Sequence, residues 1–357
     1  MRTSIVVFFA TIAFGWQPLL AAEKLVDESR VLGHQQCMDC HDLPYEAWMR
    51  SGHANRSLAM LSTNVRALRF ARRLNIKPDE LAGDSVCTDC HGTRRRTHAG
   101  GVQVNHGVSC ESCHGPAGAS NSTLGWYELH SEEKSGGFDD EDHHSALKEA
   151  GLAGVDDLYS VAVRCYECHS ISNEQVVGAG HMAGSPGFEL ATWFSGEVRH
   201  NFAPETVVTD DAEVNQLASN LWLAHDQGRN PEARRRLMYV VGLLAELEVN
   251  LRNRSKATKA GTFAISAAGQ SIAAYTRLKQ VAQRIQADEL LEAIEATKSV
   301  QSLLFLPPEE GHVPTISKAA DRVVQAAQEF TVKYDGQQLQ AIEALLPQES
   351  IGQAFQP

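Results

Sequence analysis

Cys110-Glu111-Ser112-Cys113-His114 decides the fold, because its five-residue pattern accounts for every cysteine in the chain. The pattern recurs as Cys37-Met38-Asp39-Cys40-His41, as Cys87-Thr88-Asp89-Cys90-His91 and as Cys165-Tyr166-Glu167-Cys168-His169. Two thiols three residues apart can add to the two vinyl groups on one edge of a haem, and the next histidine then lies beneath the iron. The repeats therefore predict four covalently attached c-type haems with proximal ligands His41, His91, His114 and His169.

Three other uses of paired cysteines compete with haem attachment. An exported chain with an even cysteine count is often held by disulfides. Zinc ribbons also use such pairs, but they do not need a histidine directly after each pair. Thioredoxin-like redox motifs occur singly, near a βαβ pattern that this chain lacks. Four complete repeats with no cysteine left over favour haem attachment.

The first 22 residues have the pattern of a secretory signal peptide. Arg2 precedes an apolar run over residues 5–14, which Gly15 and Pro18 end. Ala21-Ala22 provides the small residues typical of a signal-peptide cleavage site. The alternative is a single membrane anchor, but the run is short for a hydrocarbon core of about 30 Å. We therefore expect a periplasmic or otherwise exported protein that does not itself span the membrane after cleavage.

Composition limits the class of protein further. The chain has 357 residues, 43% hydrophobic and 21% charged, which suits two globular domains of roughly 150 residues each. Its formal charge of −12 makes nucleic acid a poor partner, because binding to a phosphate backbone needs a surplus of cations.

The character of the sequence changes near residue 205. Residues 23–205 hold all the cysteines and many glycines and histidines, which favours short helices around the haems. Residues 206–357 show helical periodicity, with a helix start at Asn230-Pro231 and stretches over 262–302 and 314–334. We expect a mainly α protein: a multihaem cytochrome c domain with little regular secondary structure, followed by a C-terminal helical bundle.

The haem region resembles the cytochrome c-554 family over roughly residues 33–205. The resemblance rests on the four motifs in order, on Trp48 and the tract Ser51-Gly52-His53-Ala54, and above all on the string GVSCESCHGP at residues 107–116. It implies haems in stacked pairs and an electron-transfer protein, with a C-terminal helical extension beyond the family region.

The same resemblance suggests the distal ligands. It implies His53 for the fourth haem, His200 for the third, and His130 for the first, with His143 and His144 as fallbacks. The type member of the family leaves its second haem without a distal side chain. This sequence departs from that pattern because it offers His181 and, with less support, His98 or His106.

These observations leave three classes of function open. The leading prediction is an electron carrier between redox partner proteins, such as other cytochromes or a membrane or periplasmic oxidoreductase. The second is an oxidoreductase that acts on a small nitrogen or sulfur compound at a five-coordinate haem. The third is assembly, in which the helical region joins subunits into an oligomer or docks the protein on a redox complex.

Overall fold

The computed structural model describes residues 26–120, 123–132, 141–154, 157–200 and 231–353. Throughout this described part the protein is mainly α, as predicted. Its two strands, β1 (Arg95–Arg96) and β2 (Val102–Gln103), form one small antiparallel hairpin. The predicted signal peptide and the predicted boundary at residue 205 both lie outside the described residues.

Twelve helices of four to twelve residues make up the region of the cysteine motifs. They are α1 (Gln35–Met38), α2 (Asp42–Arg50), α3 (Gly52–Asn55), α4 (Ala59–Thr63), α5 (Val65–Arg73), α6 (Thr88–His91), α7 (Cys110–His114), α8 (Trp126–Glu132), α9 (Glu141–Glu149), α10 (Leu158–His169), α11 (Glu174–Gly178) and α12 (Leu190–Phe194). Two small apolar clusters lie within this region: one centres on Leu61, Ala71 and Leu81, and another on Trp126 and Leu147.

Side chains near the third motif fix the direction of the chain there. The buried Glu111 carboxylate accepts hydrogen bonds from the backbone N–H groups of Leu32, Gly33 and Ala117. Gly115 follows the motif with a φ of 93°, and a Cβ at this position would clash with the Gly151 carbonyl oxygen. Only glycine therefore allows α7 to end directly after the histidine of the motif.

Four long helices form the C-terminal region. They are α13 (Pro231–Lys256), α14 (Thr262–Ala282), α15 (Asp288–Leu304) and α16 (Val313–Lys333), and a 3₁₀ helix (Gln337–Leu345) follows. Helix α13 is central because it packs against both α14 and α16. Residues 283–287 divide the stretch predicted over 262–302 into α14 and α15. The buried Arg254 closes α15 by donating hydrogen bonds to the carbonyl oxygens of residues 303, 304 and 306.

Helix α10 connects the two parts of the structure. It carries the fourth motif at its C-terminal end, and its buried residues Leu158, Tyr159, Ala162 and Tyr166 belong to the same hydrophobic core as α13. The Tyr159 hydroxyl also donates a hydrogen bond to Glu248 on α13. The last haem motif is thus anchored on the helical region. Within the described ranges, no helix combines the length and apolar character needed to cross a membrane.

Candidate functional site

The eight cysteines all lie among the described residues, and no disulfide joins any two of them. In the second, third and fourth motifs, the histidine is the last residue of a helix: α6, α7 and α10, respectively. In the first motif Cys37 lies on α1, and His41 directly precedes α2. Each motif therefore presents two thiols and an imidazole from one short piece of backbone.

The structure brings together the predicted partners of the first and third motifs. His41 lies opposite His130 of α8, with ring centres 6.0 Å apart and nearly parallel planes at 11°. His114 lies opposite His200, with ring centres also 6.0 Å apart and planes at 78°. Neither partner is close in sequence: residue 130 is 89 positions from 41, and residue 200 is 86 positions from 114.

The second and fourth motifs have the same arrangement. His91 lies opposite His181, with ring centres 6.3 Å apart. His169 lies opposite His53 of α3 at 6.2 Å. Two imidazoles that bind one metal ion from opposite sides, through bonds of about 2 Å, have ring centres about 6.3 Å apart. All four pairs are therefore spaced to hold an iron between them.

Hydrogen bonds fix the orientation of five of these eight rings through Nδ1. The partners of Nδ1 are the carbonyl oxygens of Ser57 for His91 (3.1 Å), Ala153 for His114 (2.7 Å), Met182 for His181 (2.8 Å) and Val198 for His200 (2.7 Å), and the hydroxyl of Ser185 for His169 (3.0 Å). A proton held on Nδ1 leaves the lone pair of Nε2 free to bind a metal.

Burial keeps six of the eight rings neutral, which metal binding requires. Burial, together with neighbouring histidines, lowers the pKa of His114 and of His169 to about 4. Burial is also the main cause that lowers the pKa values of His41, His53, His91 and His200. These six imidazoles are therefore unprotonated at neutral pH.

The four motifs lie next to one another in a defined order. The side chains of Cys37 and Cys110 lie close together, which places the first motif beside the third. Cys113 and Cys165 also lie close together, which places the third motif beside the fourth. Cys168 lies close to Cys90, which places the fourth motif beside the second. The spatial order is first, third, fourth, second.

A cavity that is open to solvent lies between the third and fourth motifs. Its wall includes Cys113, Cys165 and Cys168, the four histidines of the two pairs, and aromatic side chains such as Phe188 and Trp193. Thioether-forming cysteines, paired imidazoles and apolar walls fit c-type haem.

The alternative histidines lie elsewhere. His98 is exposed at the β1–β2 hairpin. The His106 ring packs against the buried His34, with ring centres 3.9 Å apart. His143 and His144, the fallbacks for the first haem, lie on α9. It is His130 whose ring stands opposite His41.

Several side chains that shape the site carried no signal in the sequence. The Phe188 ring stacks on His169, with centres 4.0 Å apart and planes at 11°. Glu197 accepts hydrogen bonds from the Gly52 backbone and from Arg56, and so fixes the turn that holds His53. Glutamates and phenylalanines are common in any chain, so only the folded structure separates these two from the rest.

Comparison with known proteins gives matches within the motif region. Residues 36–115, which hold the first three motifs, match the family model of cytochrome c554 and c-prime. Cytochrome c-554 of Nitrosomonas europaea is 26% identical over 121 residues, which cover 31% of this chain and 49% of that protein. The chain thus spans about half the length of this curated relative. No solved structure matches. The resemblance of the motif region to the cytochrome c-554 family is confirmed.

Proposed function

We propose that this protein is a periplasmic tetrahaem c-type cytochrome that transfers electrons between redox partner proteins. The observation that carries the proposal is the set of four histidine pairs, each 6.0–6.3 Å apart and each containing the histidine of one motif. The signal-peptide pattern of residues 1–22 supports export to the periplasm. The cysteine pairs would hold the four haems through thioether bonds.

The paired histidines favour electron transfer over catalysis. Bound c-type haem supplies a one-electron couple at its iron. In each pair the chain offers two imidazoles that would hold the metal, so the proposed ligands would leave it no open position for a substrate. The pairs are His41 with His130, His91 with His181, His114 with His200, and His169 with His53.

The spatial order of the motifs supports a continuous path through the protein. The cysteine side chains of neighbouring motifs lie close together. An electron that enters at the first motif would therefore leave at the second, by way of the third and fourth.

Haem content and spin state test the proposal. We expect the intact mass of the mature protein to exceed that of the polypeptide by four haems. We also expect low-temperature electron paramagnetic resonance (EPR) of the oxidised protein to show only low-spin ferric iron. A matched control with Cys165→Ala and Cys168→Ala should lose one haem. A mass equal to that of the polypeptide would overturn the haem assignment. A high-spin signal that accounts for one whole haem per chain would show an open iron. It would overturn the conclusion that the protein only transfers electrons, but not the haem assignment.

A further inference from the structure

The segment from residue 47 to residue 78 is basic in an acidic protein. It contains seven lysines and arginines and no aspartate or glutamate, although the whole chain has a formal charge of −12. Three of the seven cations are paired with acidic side chains: Arg50 with Glu46, Arg56 with Glu197 and Lys77 with Glu80. The other four lie on helix α5.

The four arginines of α5 point to solvent. They are Arg66, Arg69, Arg72 and Arg73. All four are exposed, and within the described part of the chain none of them forms an ion pair. Residues 66, 69 and 73 are spaced three and four apart, so they share one helix face. The opposite face, with Ala67, Leu68 and Ala71, packs into the small core around Leu61. Packing therefore holds the basic face outward.

This basic face borders the His91–His181 pair. The Phe70 ring of α5 lies 5.6 Å from the His181 ring, and His181 lies 6.3 Å from His91. The Arg73 guanidinium donates a hydrogen bond of 2.9 Å to the Ala179 carbonyl oxygen, two residues before His181. The second motif, which ends the proposed path of electrons, is thus the motif next to the arginines.

Exposed apolar side chains surround the arginines. Met60 on α4 is 40% exposed, Val65 at the start of α5 is 70% exposed, and Met182 beside His181 is 57% exposed. Arginine and methionine are enriched in protein–protein interfaces relative to the rest of a protein surface. We call Met60, Val65, Arg66, Arg69, Arg72 and Met182 the α5 surface.

We propose that the α5 surface docks an acidic redox protein, which exchanges electrons with the haem held by Cys87, Cys90 and His91. The proposal rests on the electron-transfer function proposed above. In one direction of the exchange, the partner loses one electron and the iron between His91 and His181 gains it. No bond forms and no proton moves between the two proteins.

Charge is what selects the partner and its orientation. The three arginines of the α5 surface attract an acidic face, whereas the remaining surface, with its excess of carboxylates, repels it. Such complementarity raises association rates by about 10- to 1,000-fold at low salt, and the gain falls as ionic strength rises. An acidic partner would therefore meet the protein at the second motif.

Stopped-flow kinetics with a triple variant test the proposal. The variant carries Arg66→Gln, Arg69→Gln and Arg72→Gln, and Arg73 is kept because it bonds to backbone. The probe is reduced flavodoxin, an acidic one-electron donor. We expect the second-order rate constant at low ionic strength to fall at least about tenfold and its salt dependence to flatten. A second variant with lysine at the same three positions should retain most of the rate.

A matched control removes the same charge elsewhere. Lys259→Gln, Lys279→Gln and Lys318→Gln change three exposed cations of the helical region. We expect this control to stay within twofold of the unsubstituted protein. Equal rates for the two glutamine variants would overturn the proposal. An altered haem potential in the arginine variant would also overturn it, because the arginines would then act on the haem rather than on a partner.

A small reductant separates this proposal from the one on which it rests. Reduced methyl viologen is a small, strongly reducing cation that does not need the α5 surface, so we expect it to reduce every haem in all variants. If it reduces none in the unsubstituted protein, the electron-transfer function fails. If it reduces the haems but the rate with flavodoxin does not depend on the arginines, the docking proposal is wrong and the electron-transfer function stands.

Discussion

Replacing His181 by alanine should leave one iron five-coordinate and the other three six-coordinate. The ring of His181 stands 6.3 Å from that of His91, and its other ring neighbour among the described residues is Phe70, which cannot bind a metal. No other imidazole among the described residues lies opposite His91, where it could replace His181 as a ligand. Of four proposed irons, one should therefore lose its sixth ligand, so a quarter of the ferric iron should become high-spin. The reduced variant should bind one carbon monoxide molecule per chain.

Carbon monoxide titration of the fully reduced protein measures this change, and EPR of the oxidised protein counts the high-spin iron. His98→Ala, which removes an exposed histidine from the β1–β2 hairpin, is the matched control and should bind no carbon monoxide. Rapid binding of one equivalent by the unsubstituted protein would refute the reasoning, as would a His181→Ala variant that binds none.

Three further substitutions test other parts of the structure. His53→Met should raise the potential of one haem in a redox titration, because methionine–histidine ligation raises it; unchanged potentials would remove His53 as a ligand. Phe330→Ala should cost about 3–5 kcal/mol in urea unfolding because the ring is fully buried, whereas Val332→Ala, at a side chain that is 86% exposed, should cost less than about 0.5 kcal/mol. Burial raises the pKa of Glu246 from 4.5 to about 7, while its ion pair with Arg277 opposes the rise. Between these pH values the folded protein holds a proton that the unfolded chain has lost, so stability should fall by up to about 3 kcal/mol as pH rises, and Glu246→Gln should remove that fall. An equally steep pH profile in the Gln variant would contradict this.

Most of the fold prediction rested on the four repeats and on the change in residue pattern near residue 205. Five-residue patterns are local, so Cys87, Cys90 and His91 could be identified without knowing what surrounds them. The long helices could be predicted because Pro231 is a strong local start signal and the apolar spacing is regular. The predicted helix from Pro314 to Tyr334 differs by one residue at each end from α16.

Contacts between distant residues could not be predicted in the same way. The order of the motifs depends on which thiols meet, and the contact of Cys37 with Cys110 spans 73 positions. Glu197 reaches the backbone of Gly52 across 145 positions. Such pairings follow from the packing of the whole chain, which no local pattern encodes. The distal histidines became accessible to prediction only through a family resemblance.

Helix α10 couples the haem spectrum of this protein to the folding of its C-terminal helices. Its buried residues share one core with α13, while its last residue, His169, is a proposed iron ligand. Melting of α13 would leave Leu158 and Tyr166 without their packing partners and would free the end of α10 that holds the imidazole. Haem absorbance should therefore follow the cooperative unfolding of helices that contain no cysteine. A colour change on heating would then report the loss of an aliphatic core.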